Sequence, residues 1–488
     1  MTELEPQPQL NNNSENIDSV DNVTVADTKK DKTTSLPPHP LGVKPMGNIY
    51  FDKFEPNFDS KVRERGLGAL SAFDDNFILE LLNLLEAKDL VNLMQVSKPF
   101  YIFSNNNETW KQLVISLKGG KFNFKKNWKY TYYSLVNENF NVKEVKSPEF
   151  KLKNFYSDIL YQPWVCTTTP LDKFLTRDNI PRRSGLSVEE FINEFEKPNK
   201  PVIITDVVTK WPGFGKWNDT YLREKFGDVV FRAEAIDITL NDYLDYAKQN
   251  QDESPIYLFD KKFGENCPSM LEDFSVPEYF NEDLFSLLGA QRPDYRWIII
   301  GPKRSGSTFH KDPNSTSAWN AVLTGSKFWI MFPPEVPPPG VFTNQDESEV
   351  TSPVSIMEWF LNFHKYCKKW EVKPIQGVCK AGEVIFVPNG WWHLVVNLED
   401  SIALTQNYVS SQNIPNVLKF LRDKKDQVSG CELGESLFDK FSKVYETKNP
   451  ELVEKIREEG RKKNEKSSWE NLTQEANNGG GFSFGFNF

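Results

Sequence analysis

Histidine is scarce in this chain, with four among 488 residues. Imidazole is the commonest protein metal ligand and a frequent proton carrier, so a site built on it has only His39, His310, His364 and His393 to draw on. His39 lies in a proline-rich stretch and His364 in an aromatic, helix-like segment, which leaves His310 and His393 at strand-like positions beside turn residues. Cysteine is also sparse. Cys166, Cys267, Cys367, Cys379 and Cys431 form no C-x-x-C pair, so neither a disulfide framework nor a zinc ribbon is indicated. No apolar run approaches the ~18 residues of a membrane span, and the N-terminus lacks the basic and apolar regions of a secretory signal. The expectation is a reduced, soluble protein, nuclear and/or cytoplasmic, with no membrane contact. Long basic runs are missing as well. At a formal charge of −10 there is no strong nucleic-acid signal, since such binding draws on clustered Lys and Arg.

What is present is an H-x-D pair, His310-Lys311-Asp312, with a lone histidine far downstream in Pro388-Asn389-Gly390-Trp391-Trp392-His393. Residues i and i+2 of a strand share a face, so His310 and Asp312 project together while Lys311 turns away. The Pro/Asn/Gly turn before His393 follows the apolar run Val384-Ile385-Phe386-Val387 and leads into another apolar strand. Two imidazoles and a carboxylate on one face of a metal leave its other positions open, which suits non-haem Fe(II). Zinc is more often closed off by four ligands or keeps one water.

Ser317 to Leu323, then Thr324-Gly325, then Ser326 to Phe332 read as strand, tight turn, strand. Lys327, Trp329 and Met331 share a face of the second strand. Lys327 is there either as a lysine at a solvated edge or as an inward cation awaiting an anion. The strand Ser401 to Tyr408 sets Ile402 and Leu404 on one face and Ala403, Thr405 and Asn407 on the other, either lining a cavity or facing solvent.

The segments Gly301 to Ser307, His310 to Pro313, Thr316 to Ala321 and Pro388 to His393 resemble the JmjC-domain 2-oxoglutarate oxygenases. Within that family they resemble the subgroup of bifunctional arginine demethylases and lysyl hydroxylases. The similarity runs from about Phe155 to Ser411. It implies a mainly β fold with helices, a double-stranded β-helix of the jelly-roll or cupin kind. It implies His310, Asp312 and His393 as ligands of Fe(II), with 2-oxoglutarate as cosubstrate and dioxygen as oxidant. Lys327 and Thr405 would hold the distal carboxylate of 2-oxoglutarate, with Asn320 and Tyr257 beside it, and Asn407 near the open side of the metal. Lys311 replaces an apolar residue of the family pattern, and Ser307 stands where a threonine is usual. The positive charge of Lys303, Arg304 and Lys311 would attract 2-oxoglutarate or an acidic substrate segment.

The rest of the chain divides around that domain, and a length of 488 residues allows about two to four domains. Residues 1–45 have few large apolar groups and read as a disordered tail. Helical spacing marks one helix near Phe73 to Leu85, a second from Asp89, and a third from about Phe100 to Leu113. Lys88-Asp89-Leu90, Val96 to Phe100 and Trp110 to Leu113 resemble an F-box, which implies docking on a Skp adaptor of a cullin-RING ubiquitin ligase; Ala72-Phe73 departs from its usual Leu-Pro. The domains expected are thus an F-box-like module at 66–135, the JmjC domain at 150–411, a C-terminal helical extension at 412–456, and a charged, low-complexity tail at 457–488. The implied activity is hydroxylation of a protein substrate on lysyl side chains, or on N-methyl groups that are then lost as formaldehyde. The alternative is an F-box recognition subunit whose barrel only binds its target.

Overall fold

Two facing sheets hold the strands read from the sequence. The computed structural model describes residues 36–144 and 148–478. In chain order the strands of these sheets are β1 (Arg182–Arg183), β2 (Val202–Ile204), β3 (Val230–Ala233), β4 (Ile236–Thr239), β5 (Leu258–Asp260), β6 (Arg296–Gly301) and β7 (Gly306–His310). There follow β8 (Ser317–Thr324), β9 (Ser326–Phe332), β10 (Ile375–Lys380), β11 (Val384–Val387), β12 (Trp392–Asn397) and β13 (Ser401–Tyr408). The larger sheet runs β1-β2-β11-β8-β13-β6-β5-β3-β4 and the smaller β10-β9-β12-β7. All pairings are antiparallel except β1 with β2. One apolar cluster joins Ile203, Ala318, Val322 and Ile385 of the larger sheet to Trp329, Met331, Cys379 and Val395 of the smaller. This is the double-stranded β-helix, with helices packed outside it. Counted by residue, those helices exceed the strands.

β8 and β9 are consecutive and joined through Gly325, yet they do not pair; each enters a different sheet. The tight turn is therefore a corner between layers and not a hairpin. Both strands are buried on both faces, so apolar alternation could not distinguish the two. Gly325 makes the corner possible. Its φ is +78°, and a Cβ there would lie 2.3 Å from the Asp400 carbonyl oxygen, a conformation and an approach open to glycine alone.

Before the barrel come α1 (Asp75–Asn83), α2 (Ala87–Val96), α3 (Lys98–Ser104), α4 (Asn107–Lys118) and α5 (Trp128–Val136). Asp74 caps α1 by accepting from the Phe77 amide at 2.9 Å. The single helix expected near Phe100 to Leu113 is two, because Asn106 accepts from the Glu108 amide and starts α4 afresh. Nor is this module a separate body. Ile78, Leu82, Leu90, Phe103, Trp110 and Val114 belong to the same buried cluster as Val202, Ile300, Trp319 and Leu404 of the barrel. Asp252, beyond β4, accepts from Trp128 Nε1 at 2.9 Å and Asn107 at 2.7 Å, pinning α4 and α5 to it.

Two boundaries shift. Residues 38–45 are not loose, since Val43 is buried and pairs in parallel with Phe155, an apolar contact masked in sequence by the surrounding prolines. Residues 1–35 of the expected tail lie outside the described residues. After the barrel, α6 (Ile414–Asp423) and α7 (Leu437–Tyr445) bury Val417, Leu418, Leu421, Leu437 and Phe441 against Leu284, Phe285 and Leu288. The next helix spans Pro450–Asn478 and crosses residue 457 without a break, its buried Val453 and Ile456 anchoring it just before the stretch where charge dominates the sequence. The low-complexity end, 479–488, lies outside the described residues. No described helix is long and apolar enough to cross a membrane, and all five cysteines are free thiols.

Candidate active site

β7 and β12 are neighbours, and their register puts His310 directly opposite His393. The two rings lie 4.2 Å apart between centroids. Asp312 follows the end of β7 in extended backbone, φ −62° and ψ 146°, so the i, i+2 relation holds although the strand itself stops at His310. One ligand atom from each of His310, Asp312 and His393 falls within 4.8 Å of the others.

The hydrogen bonds around these side chains leave metal-binding atoms free. His310 Nδ1 lies 2.8 Å from the Thr308 carbonyl oxygen and His393 Nδ1 lies 3.0 Å from that of Trp391. Each carbonyl can only accept, so each Nδ1 carries the proton and each Nε2 keeps its lone pair. Burial holds the His393 imidazole well below its ordinary pKa and so neutral. Asp312 Oδ2 has no hydrogen-bond partner among the described residues. Burial pushes its carboxyl up to about 6, opposed by neighbouring His310 and a hydrogen bond from Asn407. A buried carboxylate oxygen without a donor is costly, and a cation held between it and two imidazole lone pairs removes that cost. The donor set is the two-imidazole, one-carboxylate arrangement of non-haem Fe(II) sites.

Lys327 decides between its two readings. It sits on β9, a central strand flanked by β10 and β12, and is fully buried. Its Nζ donates to Tyr257 Oη at 2.8 Å and to Asn397 Oδ1 at 2.7 Å. Those acceptors are neutral, so no counter-charge offsets desolvation, and burial lowers the ammonium to about 7. Thr405 and Asn320 face one another across β13 and β8. The Thr405 hydroxyl donates to the Trp319 carbonyl at 2.9 Å, and Asn320 Oδ1 is buried without a hydrogen-bond partner among the described residues. β13 is buried throughout, which removes the solvated-face reading. Asn407 donates to Thr316 Oγ1 at 2.8 Å, while Ser307 lies in a cleft that reaches His310.

Asn397 is the residue that sequence reasoning missed. It stands opposite Lys327 in the β9–β12 register, accepts from its ammonium and donates to Ser305 Oγ at 2.9 Å. Its signal was the period-two step from His393 through Val395 to Asn397, a polar group on the ligand's own face.

Two of the basic groups near the metal strand are engaged locally. Lys311 points away from the triad, over the Trp392 ring, and donates to Glu347 at 2.7 Å. Arg304 donates to the Thr169 and Cys166 carbonyls. Of the three cations expected to attract an anion, Lys311 and Arg304 are thus engaged within the chain, and Lys303 is exposed.

Residues 188–414 match the Cupin-like domain family. Over 425 residues the chain is 48% identical to the arginine-specific demethylase JMJ22 of Arabidopsis thaliana, covering 86% of this chain and 84% of that one. It is 38% identical over 253 residues to the bifunctional arginine demethylase and lysyl-hydroxylase psr-1 of Caenorhabditis elegans, 49% of this chain and 63% of that one. The 2-oxoglutarate and iron-dependent oxygenase JMJD4 of Mus musculus is 27% identical over 278 residues, 50% of this chain and 64% of that one. The first of these likenesses extends well beyond the barrel into the flanking helices.

Proposed function

This chain belongs to the cupin-like JmjC-domain family, and on that premise we propose that it is an Fe(II)- and 2-oxoglutarate-dependent dioxygenase acting on protein side chains. One observation carries the reading: three metal-competent atoms within 4.8 Å share a barrel with a fully buried lysine that has no ion-pair partner among the described residues. A barrel that only bound its target would have no physical need for either.

His310, Asp312 and His393 would hold the iron. When bound, the metal, dioxygen and 2-oxoglutarate supply oxidation of a C–H bond to C–OH, coupled to decarboxylation of 2-oxoglutarate to succinate. The chain's own residues prepare that chemistry. The Lys327 ammonium offers a charge-assisted hydrogen bond to the distal carboxylate of the cosubstrate. The Thr405 hydroxyl turns from the Trp319 carbonyl to offer a second. Tyr257 and Asn397 hold the lysine in place, and Asn320 stands opposite Thr405 with a buried amide oxygen. Asn407, on the strand opposite, steadies Asp312.

An N-methyl carbon hydroxylated here would collapse to formaldehyde and the demethylated amine. A relative named an arginine-specific demethylase aligns with most of this chain, so methylated arginine is the first substrate to test and lysine the second. The experiment is mass spectrometry of methylarginyl and lysyl peptides after incubation with Fe(II), 2-oxoglutarate and air. Loss of a methyl group or gain of an oxygen is expected, and neither change with any peptide would remove the protein-substrate reading.

A second reading, adaptor docking by the helical module, draws on its exposed apolar side chains. Leu84 is 82% and Val96 65% exposed, and Phe73 stacks on Phe77 at the surface. Leu90 is buried in the shared core and cannot serve as an anchor. Leu84→Glu with Phe77→Glu should abolish capture by a Skp adaptor; capture by neither variant nor native chain would end this reading.

A further inference from the structure

Tyr257 meets the Lys327 ammonium through its hydroxyl, yet it stands just outside the sheet. β5 begins one residue later, at Leu258, so the strand ladder holds neither Tyr257 nor Ile256 before it. Side chains hold this segment instead. The Ile256 amide donates to Tyr246 Oη at 2.9 Å, the Tyr257 amide to Glu234 Oε1 at 3.1 Å and the Leu258 amide to Tyr243 Oη at 3.2 Å. Tyr243 in turn offers its hydroxyl proton to the Ile256 carbonyl at 3.0 Å and the Ile300 carbonyl at 2.7 Å. Buried amides need acceptors, and here each acceptor comes from the β3–β4 turn or the helix Leu240–Gln249.

The Tyr257 ring has little room of its own. It packs with Ile299 and Ala403, and a Cβ added to Gly301 would come within 2.5 Å of its Cε2. A close-packed side chain passes a shift of its backbone on to its far end. Movement of residues 256–258 therefore reaches the Tyr257 hydroxyl and the 2.8 Å bond it accepts from Lys327.

Tyr246 joins this support to the helical module. Its hydroxyl donates to Asp252 Oδ2 at 2.6 Å. The same oxygen accepts from Trp128 Nε1 of α5, and Asp252 Oδ1 accepts from Asn107 Nδ2 of α4. Asp252, Tyr246 and Trp128 are all buried. With its one proton directed at the carboxylate, the Tyr246 hydroxyl oxygen is left to accept from Ile256, so the donors point one way from Ile256 through Tyr246 to Asp252. Bonds aligned in that sense polarise one another. A buried carboxylate is stable only with its donors in place, and two of the three belong to the module.

We infer that the helical module is part of the cosubstrate site: Asn107 and Trp128 fix Asp252, Asp252 fixes Tyr246, and Tyr246 places Tyr257 against Lys327. Asp252 and Tyr246 are positioning residues, acting through Tyr257. The inference rests on the reading of Lys327 and Tyr257 as cosubstrate residues and adds what governs their spacing. Loss of the module's two donors should weaken 2-oxoglutarate binding while the metal triad, carried by β7 and β12, is kept.

The test is calorimetric titration of 2-oxoglutarate into the full chain loaded with Fe(II) under nitrogen, with Fe(II) affinity measured alongside. Tyr246→Phe keeps the ring and removes the hydroxyl; it should weaken 2-oxoglutarate binding about tenfold with metal affinity unchanged. Asn107→Asp sets a second carboxylate against Asp252 and should weaken binding to a similar degree. Adding Asp252→Asn offers an amide N–H to the new carboxylate and keeps an oxygen for Trp128 and Tyr246, so affinity should return to within about twofold of native. Leu82→Ala, buried in the module and outside this network, should lower the urea midpoint and leave cosubstrate affinity unchanged. Native affinity in Tyr246→Phe and Asn107→Asp, no rescue by the second substitution, or a loss in Leu82→Ala equal to that in Tyr246→Phe would overturn the inference. A native chain that binds Fe(II) but no 2-oxoglutarate would remove the cosubstrate reading itself, and this inference with it.

Discussion

Lys327 and Asn397 stand directly opposite one another on β9 and β12, and the buried ammonium donates to the Asn397 carbonyl oxygen at 2.7 Å. The same pair of strands sets Met331 opposite His393 four residues away. At ~3.4 Å per residue this separates the lysine from the triad's histidine by about 14 Å along the strand, and the two side chains lie on one face. A small dianion with one end on the metal and the other on the lysine fits that layout.

Lys327 makes cosubstrate binding pH-dependent. Burial lowers its folded pKa to about 7, below the unfolded value. Between those two values the unfolded chain binds the extra proton, so this group's penalty on stability is largest below 7 and fades as pH rises. Binding of 2-oxoglutarate runs the other way, because the anion requires the charged lysine. Its dissociation constant should rise about tenfold per pH unit above 7, with proton uptake visible when calorimetry is repeated in buffers of different ionisation enthalpy. A flat profile from pH 6 to 9 would remove Lys327 from the cosubstrate site.

Asn397→Ala removes an acceptor from the lysine and a donor from Ser305. The cost should appear in 2-oxoglutarate affinity, by about 1.5–3 kcal/mol for a hydrogen bond to a charged group, with metal affinity preserved. Equal loss of both would mark a general collapse of β12.

Gly325→Ala should destabilise the fold by about 2 kcal/mol or more, since the new methyl meets both a positive φ and the Asp400 carbonyl. Urea melts read this directly. An unchanged midpoint would mean the corner can relax.

Much of the site was legible because chemistry-bearing residues are rare here. With four histidines, strand spacing left His310, Asp312 and His393 as candidates, and the resemblance supplied their role as metal ligands and the roles of Lys327, Thr405, Asn320 and Tyr257. The fold was legible at the level of its sheets. Three things were not. The β8–β9 corner looks like a hairpin because both strands are apolar on both faces. Asn397 carries no charge and no ligand atom that marks it out among the valines of β12. The joining of module and barrel depends on contacts such as Trp128 with Asp252, more than a hundred residues apart, which no local pattern records.

Metal should stabilise the native chain and not its ligand variants. At a free Fe(II) concentration of about a hundred times the dissociation constant, stability should rise by about 2.7 kcal/mol. His310→Ala and Asp312→Ala should show no such gain under anaerobic melting. A full gain in either would place the metal elsewhere.

The most direct measurement is succinate release from 2-oxoglutarate by the purified full-length chain with Fe(II) and air, set beside the His310→Ala/Asp312→Ala double variant. Turnover that depends on iron in the native chain and is absent from a folded double variant is the expected result. Full turnover by that variant would contradict the assignment of the triad.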